Sequence, residues 1–144
     1  MVASRYSQTL YAGAEHQGLY RSVDRGESWQ KVELPVSAIN ALVISLQDGR
    51  LLAATDTGLY GSDDQGQRWA CLLDRPSAFS LAVGESTLVT GLVNQGAWLS
   101  YDQTNWQPCF TLPARALTGM ALSPHFDLDL VGFLYGAQEG LWRT

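Results

Sequence analysis

Four stretches of this sequence can be laid on one another: LYAGAEHQGLYRSVDRGESW from Leu10, LLAATDTGLYGSDDQGQRW from Leu51, LVTGLVNQGAWLSYDQTNW from Leu88 and LYGAQEGLWRT from Leu134. One glycine anchors each copy, at Gly18, Gly58, Gly96 and Gly140. The period is about 40 residues, the length of one four-stranded propeller blade. Self-similarity at this spacing constrains the fold more than any other property of the chain.

Within each copy the signals are those of strands and turns. Leu10–Gly13, Leu51–Ala54, Leu88–Gly91 and Leu134–Ala137 are short apolar or small-residue runs. Each meets a polar connection that ends in glycine and then resumes as Leu-Tyr, Ala-Trp or Leu-Trp, which is the pattern of a hairpin with a short loop. Upstream runs at Ile39–Ser45, Phe79–Val83 and Leu117–Leu122 predict the first strands of blades two, three and four, and alignment assigns Met1-Val2-Ala3-Ser4 to the first strand of blade one. No stretch of useful length has the helical period. The expected fold is all-β, a single domain of β-propeller blades at approximately 1–34, 35–75, 76–113 and 114–144, the last without its outer strand. Such a set is a partial propeller or half of an oligomeric ring.

Composition excludes several functions. Hydrophobic residues make up 46% of the 144, enough for a core, and the net charge is -5. The nine Lys and Arg are scattered singly, so neither nucleic acid nor an anionic membrane is an expected partner. No apolar run reaches membrane-spanning length, and none near the start has the form of a signal peptide. The default setting is therefore cytoplasmic, although a piece of a secreted parent would read the same way. Cys71 and Cys109 are expected to be free, buried thiols.

A second motif runs in phase with the repeat. Ser-x-Asp-x-Gly-x-x-Trp occurs as Ser22, Asp24, Gly26, Trp29 and as Ser62, Asp64, Gly66, Trp69. A third copy keeps Ser100, Asp102 and Trp106, with Thr104 in place of the glycine and one residue fewer before the tryptophan. These residues resemble the Asp-box (BNR) repeats of sialidase-like, sortilin-like and photosystem-assembly-factor-like propellers. The segment from Ser123 resembles the strand-linking stretch of the same group. The resemblance covers essentially the whole chain and implies a propeller, not a sialidase activity. The residues themselves suit a structural turn: the aspartate accepts bonds from its own backbone, the glycine permits the left-handed conformation, and the tryptophan is expected to bury its ring between blades. Tyr20, Tyr60, Trp98 and Trp142 share one strand position and are expected to pack between blades too.

No catalytic constellation accompanies the repeat. The resemblance to sialidases implies three arginines on a carboxylate, a Tyr–Glu pair and an acidic aspartate, and no such set emerges. The arginines instead follow the repeat, Arg21 with Arg143 and Arg25 with Arg68, as surface decoration would. No Cys/His spacing suits a metal, and no cofactor is expected. The expected function is a non-enzymatic binding or scaffold propeller that meets a protein, or as a second class a glycan, through one loop face. That face carries Glu15, His16, Gln17, Asp56, Thr57, Arg75, Asn94, Gln95, Arg115, Gln138 and Glu139. The alternative is a fragment of a sialidase-like or xyloglucan-type glycoside hydrolase. Self-association through the terminal blades, most simply as a homodimer, is the expected assembly, with membership of a larger complex next.

Overall fold

A computed structural model of the chain describes residues 1–3, 8–14, 16–45, 48–110, 119–136 and 140–143. Among these residues fifteen strands form four separate antiparallel sheets, each a meander in sequence order, with one short helix beside them. The first contains β1 (Val2–Ala3), β2 (Leu10–Ala14), β3 (Gly18–Ser22) and β4 (Gln30–Val32). The second contains β5 (Ile39–Ile44), β6 (Leu51–Thr55), β7 (Leu59–Ser62) and β8 (Ala70–Leu73). The third contains β9 (Ala78–Val83), β10 (Leu88–Leu92), β11 (Gly96–Ser100) and β12 (Gln107–Phe110). The fourth contains β13 (Gly119–Leu122), β14 (Gly132–Gly136) and β15 (Gly140–Arg143), with α1 (Phe126–Asp129) between its first two strands. The protein is built of propeller blades.

The register follows the repeat. Leu10 pairs with Ser22, Leu51 with Ser62 and Leu88 with Ser100, so corresponding residues hold corresponding places. Val2 and Ala3 pair with Tyr11 and Leu10, as the alignment of the first residues predicts; Ser4 lies outside the described residues. The predicted strand Leu117–Leu122 is seen from Gly119, and its first two residues also lie outside them. The one-turn helix α1 was not legible, because four residues are too few to show a period.

Blades touch face to face in chain order: β5 lies against β1 and β2, β9 against β5 and β6, and β13 against β9. An apolar cluster fills each junction. Tyr11, Leu19 and Leu34 of the first blade meet Ile39, Leu51 and Ala53 of the second. Leu52, Ala54, Leu59 and Leu73 of the second meet Ala78, Leu88 and Leu92 of the third. Val89, Ala97 and Leu99 of the third meet Phe126 and Leu134 of the fourth. Alternation along the strand is the cause: successive side chains of β6 point to opposite faces, so Leu51 and Ala53 face back while Leu52 and Ala54 face forward. All of β6 and β10 is buried. Small residues let the sheets approach, and a Cβ on Gly13 would stand 2.7 Å from Ile39 Cγ2.

Three expectations need correction. The box tryptophans differ: Trp69 and Trp106 pack half-buried against the junction clusters, but Trp29, expected to bury its ring between blades as well, is exposed at 38%. Each faces the preceding blade, and the first sheet has none before it among the described residues. Cys71 is exposed rather than buried, because it lies on the outermost strand of its blade; Cys109 is half-buried, and both are free. Arg21 is not surface decoration, since it is half-buried and reaches the neighbouring blade.

Trp69→Ala is expected to cost ~3–5 kcal/mol, as a large ring removed from a junction cluster, and Trp29→Ala should cost less, because more of its ring is already exposed. Urea unfolding of the two variants checks the order, and a larger loss for Trp29→Ala would contradict it.

Candidate functional site

The Ser-x-Asp-x-Gly-x-x-Trp turns join the third and fourth strands of their blades, at one end of the molecule. In the first copy, Ser22 Oγ donates to Asp24 Oδ1 at 2.7 Å and accepts from the Gly26 N–H at 2.8 Å. The Ser28 N–H donates to Asp24 Oδ1 at 2.9 Å, and Trp29 Nε1 donates to the Gly26 carbonyl at 3.2 Å. The second copy repeats each bond: Ser62 to Asp64 at 2.9 Å, Gly66 N–H to Ser62 at 2.8 Å, Arg68 N–H to Asp64 at 2.8 Å and Trp69 to Gly66 at 3.1 Å. Two successive residues take the left-handed conformation, Arg25 then Gly26 and Gln65 then Gly66, and this reverses the chain within one turn.

The third copy shows what the lost glycine does. Only Gln103 is left-handed there. Asp102 still accepts from Ser100 at 3.1 Å, and from the Thr104 and Asn105 N–H groups at 2.9 and 2.7 Å. With one residue fewer between the turn and the ring, Trp106 Nε1 is buried without a partner.

These bonds stabilise the ionised carboxylates. The Arg68 backbone N–H, then its guanidinium, hold Asp64 down at about 2. The Ser28 hydroxyl holds Asp24 well below the usual carboxylate range, and the Asn105 backbone does the same for Asp102. Each aspartate is engaged by its own turn and stands on a different blade, so the three do not converge. Among the described residues no group of three or more His, Cys, Asp or Glu side chains comes together to hold a metal ion. Burial pushes the Cys109 thiol up to about 12, so it is not a ready nucleophile at neutral pH.

The residue after the second and third box aspartates has a role the motif did not announce. Gln65 Oε1 accepts from Arg21 Nη2 of the preceding blade at 2.6 Å, and its carbonyl accepts from Tyr11 Oη at 3.2 Å. Gln103 Oε1 accepts from Arg50 Nη1 of the preceding blade at 2.7 Å, while Arg50 also makes a two-bond pair with Asp63 at 2.5 and 2.7 Å. The left-handed residue thus clasps the blade behind it. The recurrence of glutamine there was the available signal.

The opposite end carries the predicted contact loops. Glu15, Arg115, Gln138 and Glu139 lie outside the described residues. Asp56 is committed to the fold: its backbone and carboxylate bond Ala38, and its carbonyl accepts from the Ser77 N–H. Thr57 is exposed and bonds Thr55 and Tyr60. Arg75, Asn94 and Gln95 come together. The Arg75 guanidinium lies 4.1 Å from the centre of the Trp98 ring and donates to Gln95 Oε1 at 3.0 Å; Trp98 Nε1 donates to the Gln95 carbonyl at 3.2 Å. His16 and Gln17 instead line an open groove of about 280 Å³ with Lys31, Glu33, Val36 and Ser37. The first hairpin is one residue longer than the second, where Gly58 sits so close that a Cβ would stand 2.4 Å from the Leu73 carbonyl oxygen. The insertion was visible in the sequence, but its consequence was not.

No protein-family model matches this chain, and no curated protein matches it. Solved structures do. The GH74 xyloglucanase from Xanthomonas campestris is 23% identical, with a TM-score of 0.68 over 94% of this chain and 27% of that one. A B. thetaiotaomicron protein described as the extracellular domain of a hybrid two-component system is 15% identical, with a TM-score of 0.73 over 93% of this chain and 18% of that one. The computationally designed Ika4 protein is 12% identical, with a TM-score of 0.73 over 96% of this chain and 85% of that one. At these identities the likeness is one of fold. The chain spans only about a fifth to a quarter of the enzyme and sensor chains. No helix is long and apolar enough to cross a membrane among the described residues.

The box carboxylates give the fold an acid limit. Each titrates lower folded than unfolded, so below pH 4 the unfolded chain binds more protons. The stability they contribute is full above about pH 4 and is lost as pH falls toward 2. Thermal melts at pH 7, 4, 3 and 2 should show this decline, and Asp64→Asn should lower the melt at pH 7 while flattening the acid slope. An unchanged slope would contradict the assignment.

Proposed function

We propose that the chain is an Asp-box propeller module that binds a protein through its loop face, with a glycan as the second ligand class, and does no chemistry of its own. The observation that carries this reading is the Arg75–Trp98 stack beside Gln95. Stacking holds the guanidinium rigid while part of its donor edge stays open, and ordered arginine and tryptophan side chains are the residues that anchor interfaces. Exposed Asn94 and the His16–Gln17 groove extend the same face. The box aspartates, spent on their own turns, favour the non-enzymatic reading over a glycoside hydrolase fragment. The reading holds in the cytoplasm, the sequence default, and equally outside the cell, where the sensor neighbour's domain is described as lying.

Proximity cross-linking in the producing cell should recover a partner with the wild-type chain that is lost with Arg75→Glu and kept with Glu27→Lys on the box-turn end. Loss with Glu27→Lys alone would move the site to the other face. Turnover of a fluorogenic sialoside or of xyloglucan by the 144-residue chain would overturn the non-enzymatic reading.

A further inference from the structure

The junctions between blades have two complementary sides, and among the described residues each side is left largely exposed once. The forward-facing positions Tyr11, Leu52 and Val89 are 3%, 1% and 1% exposed, and Leu19, Leu59 and Ala97 beside them are fully buried. The matching residues of the fourth blade, Tyr135 and Leu141, are 52% and 67% exposed, with Phe133 at 41% on the same face. The backward-facing positions Leu51 and Ala53 are 2% and 0% exposed. Their matches in the first blade, Leu10 and Ala12, are only half-buried, and Trp29 on that side is exposed. An apolar patch of this size on a folded surface marks an interface.

We infer that the forward face of the fourth blade seats on the backward face of the first blade of a second copy of this chain, and that two copies close one ring. The occupant follows from continuity: the three internal junctions are made by joining this forward face to this backward face, and a second copy supplies both in the required order. Contact of unlike faces is head-to-tail, which closes when the rotation returns on itself; two copies bring eight blades, within the range of closed propellers. The polar clasp does not carry over unchanged: Tyr11 donates to the carbonyl of Gln65, whereas Tyr135, in the place of Tyr11, lies with its ring over Gly119 of its own blade. The side-chain clasp does not extend, because Arg143 and Arg25, in the places of Arg21 and Gln65, are both cations. This junction is therefore weaker than the internal ones.

Light scattering across a dilution series tests the pairing, with circular dichroism melts as the control for folding. The wild type should pass from twice the mass of one chain to a single chain on dilution. Leu141→Asp and Ala12→Arg, at an exposed and a half-buried position of the two faces, should each be monomeric and melt where the wild type melts once diluted to a single chain, and mixing the two should restore dimers, because each keeps the face the other has lost. Arg25→Gln should tighten the dimer roughly fivefold, by allowing the Arg–Gln bond of the internal junctions. A monomer at every concentration would overturn the inference and leave the two faces to each other or to another polypeptide. A dimer indifferent to Leu141→Asp and Ala12→Arg, or variants that fail to complement each other, would overturn it as well.

Discussion

The structure depends on burying the second strand of each of the two inner blades from both sides. β6 and β10 have no solvent face at all, a condition met only when a sheet lies against each side of them. Period-two alternation sends Leu51 and Ala53 one way and Leu52 and Ala54 the other, so a single strand contributes to two apolar clusters. Alanine, threonine and glycine in these strands set the spacing. They are small enough for neighbouring sheets to meet, and each blade's stability becomes a property of its neighbours as much as of itself.

The box turns add a polar layer at the outer end of the same junctions. Serine and aspartate satisfy the turn's own backbone, left-handed residues reverse the chain, and in the second and third turns a left-handed glutamine reaches back to an arginine of the preceding blade. Local turn chemistry and inter-blade contact are thus one device. The third copy shows that they are separable: in its shortened turn the tryptophan has no carbonyl partner, yet Gln103 keeps its hold on Arg50. At the junction of blades three and four another carboxylate does similar work, with Asp127 of α1 accepting from Ser86 N–H and the Thr87 hydroxyl.

The repeat made the blade order, the strand pairing and the turn positions legible, because each rests on a local signal that recurs in phase. Burial was less legible. Trp29, Trp69 and Trp106 look alike in sequence, but their exposure depends on whether a blade precedes them. The exposure of Cys71 likewise follows from its place on an outer strand rather than from its own neighbours. The contact face was legible only as a set of loops. That Arg75 would stack on Trp98, and that His16 and Gln17 would line a groove with Lys31 and Glu33, depend on the approach of segments apart in the chain.

Amide hydrogen exchange resolved by strand tests two-sided burial most directly. The slowest amides should be those of β6 and β10, and the fastest those of the outer strands β4 and β8, whose residues are largely exposed. Outer strands as slow as β6 and β10, or free exchange in the segment Leu51–Thr55, would contradict the account.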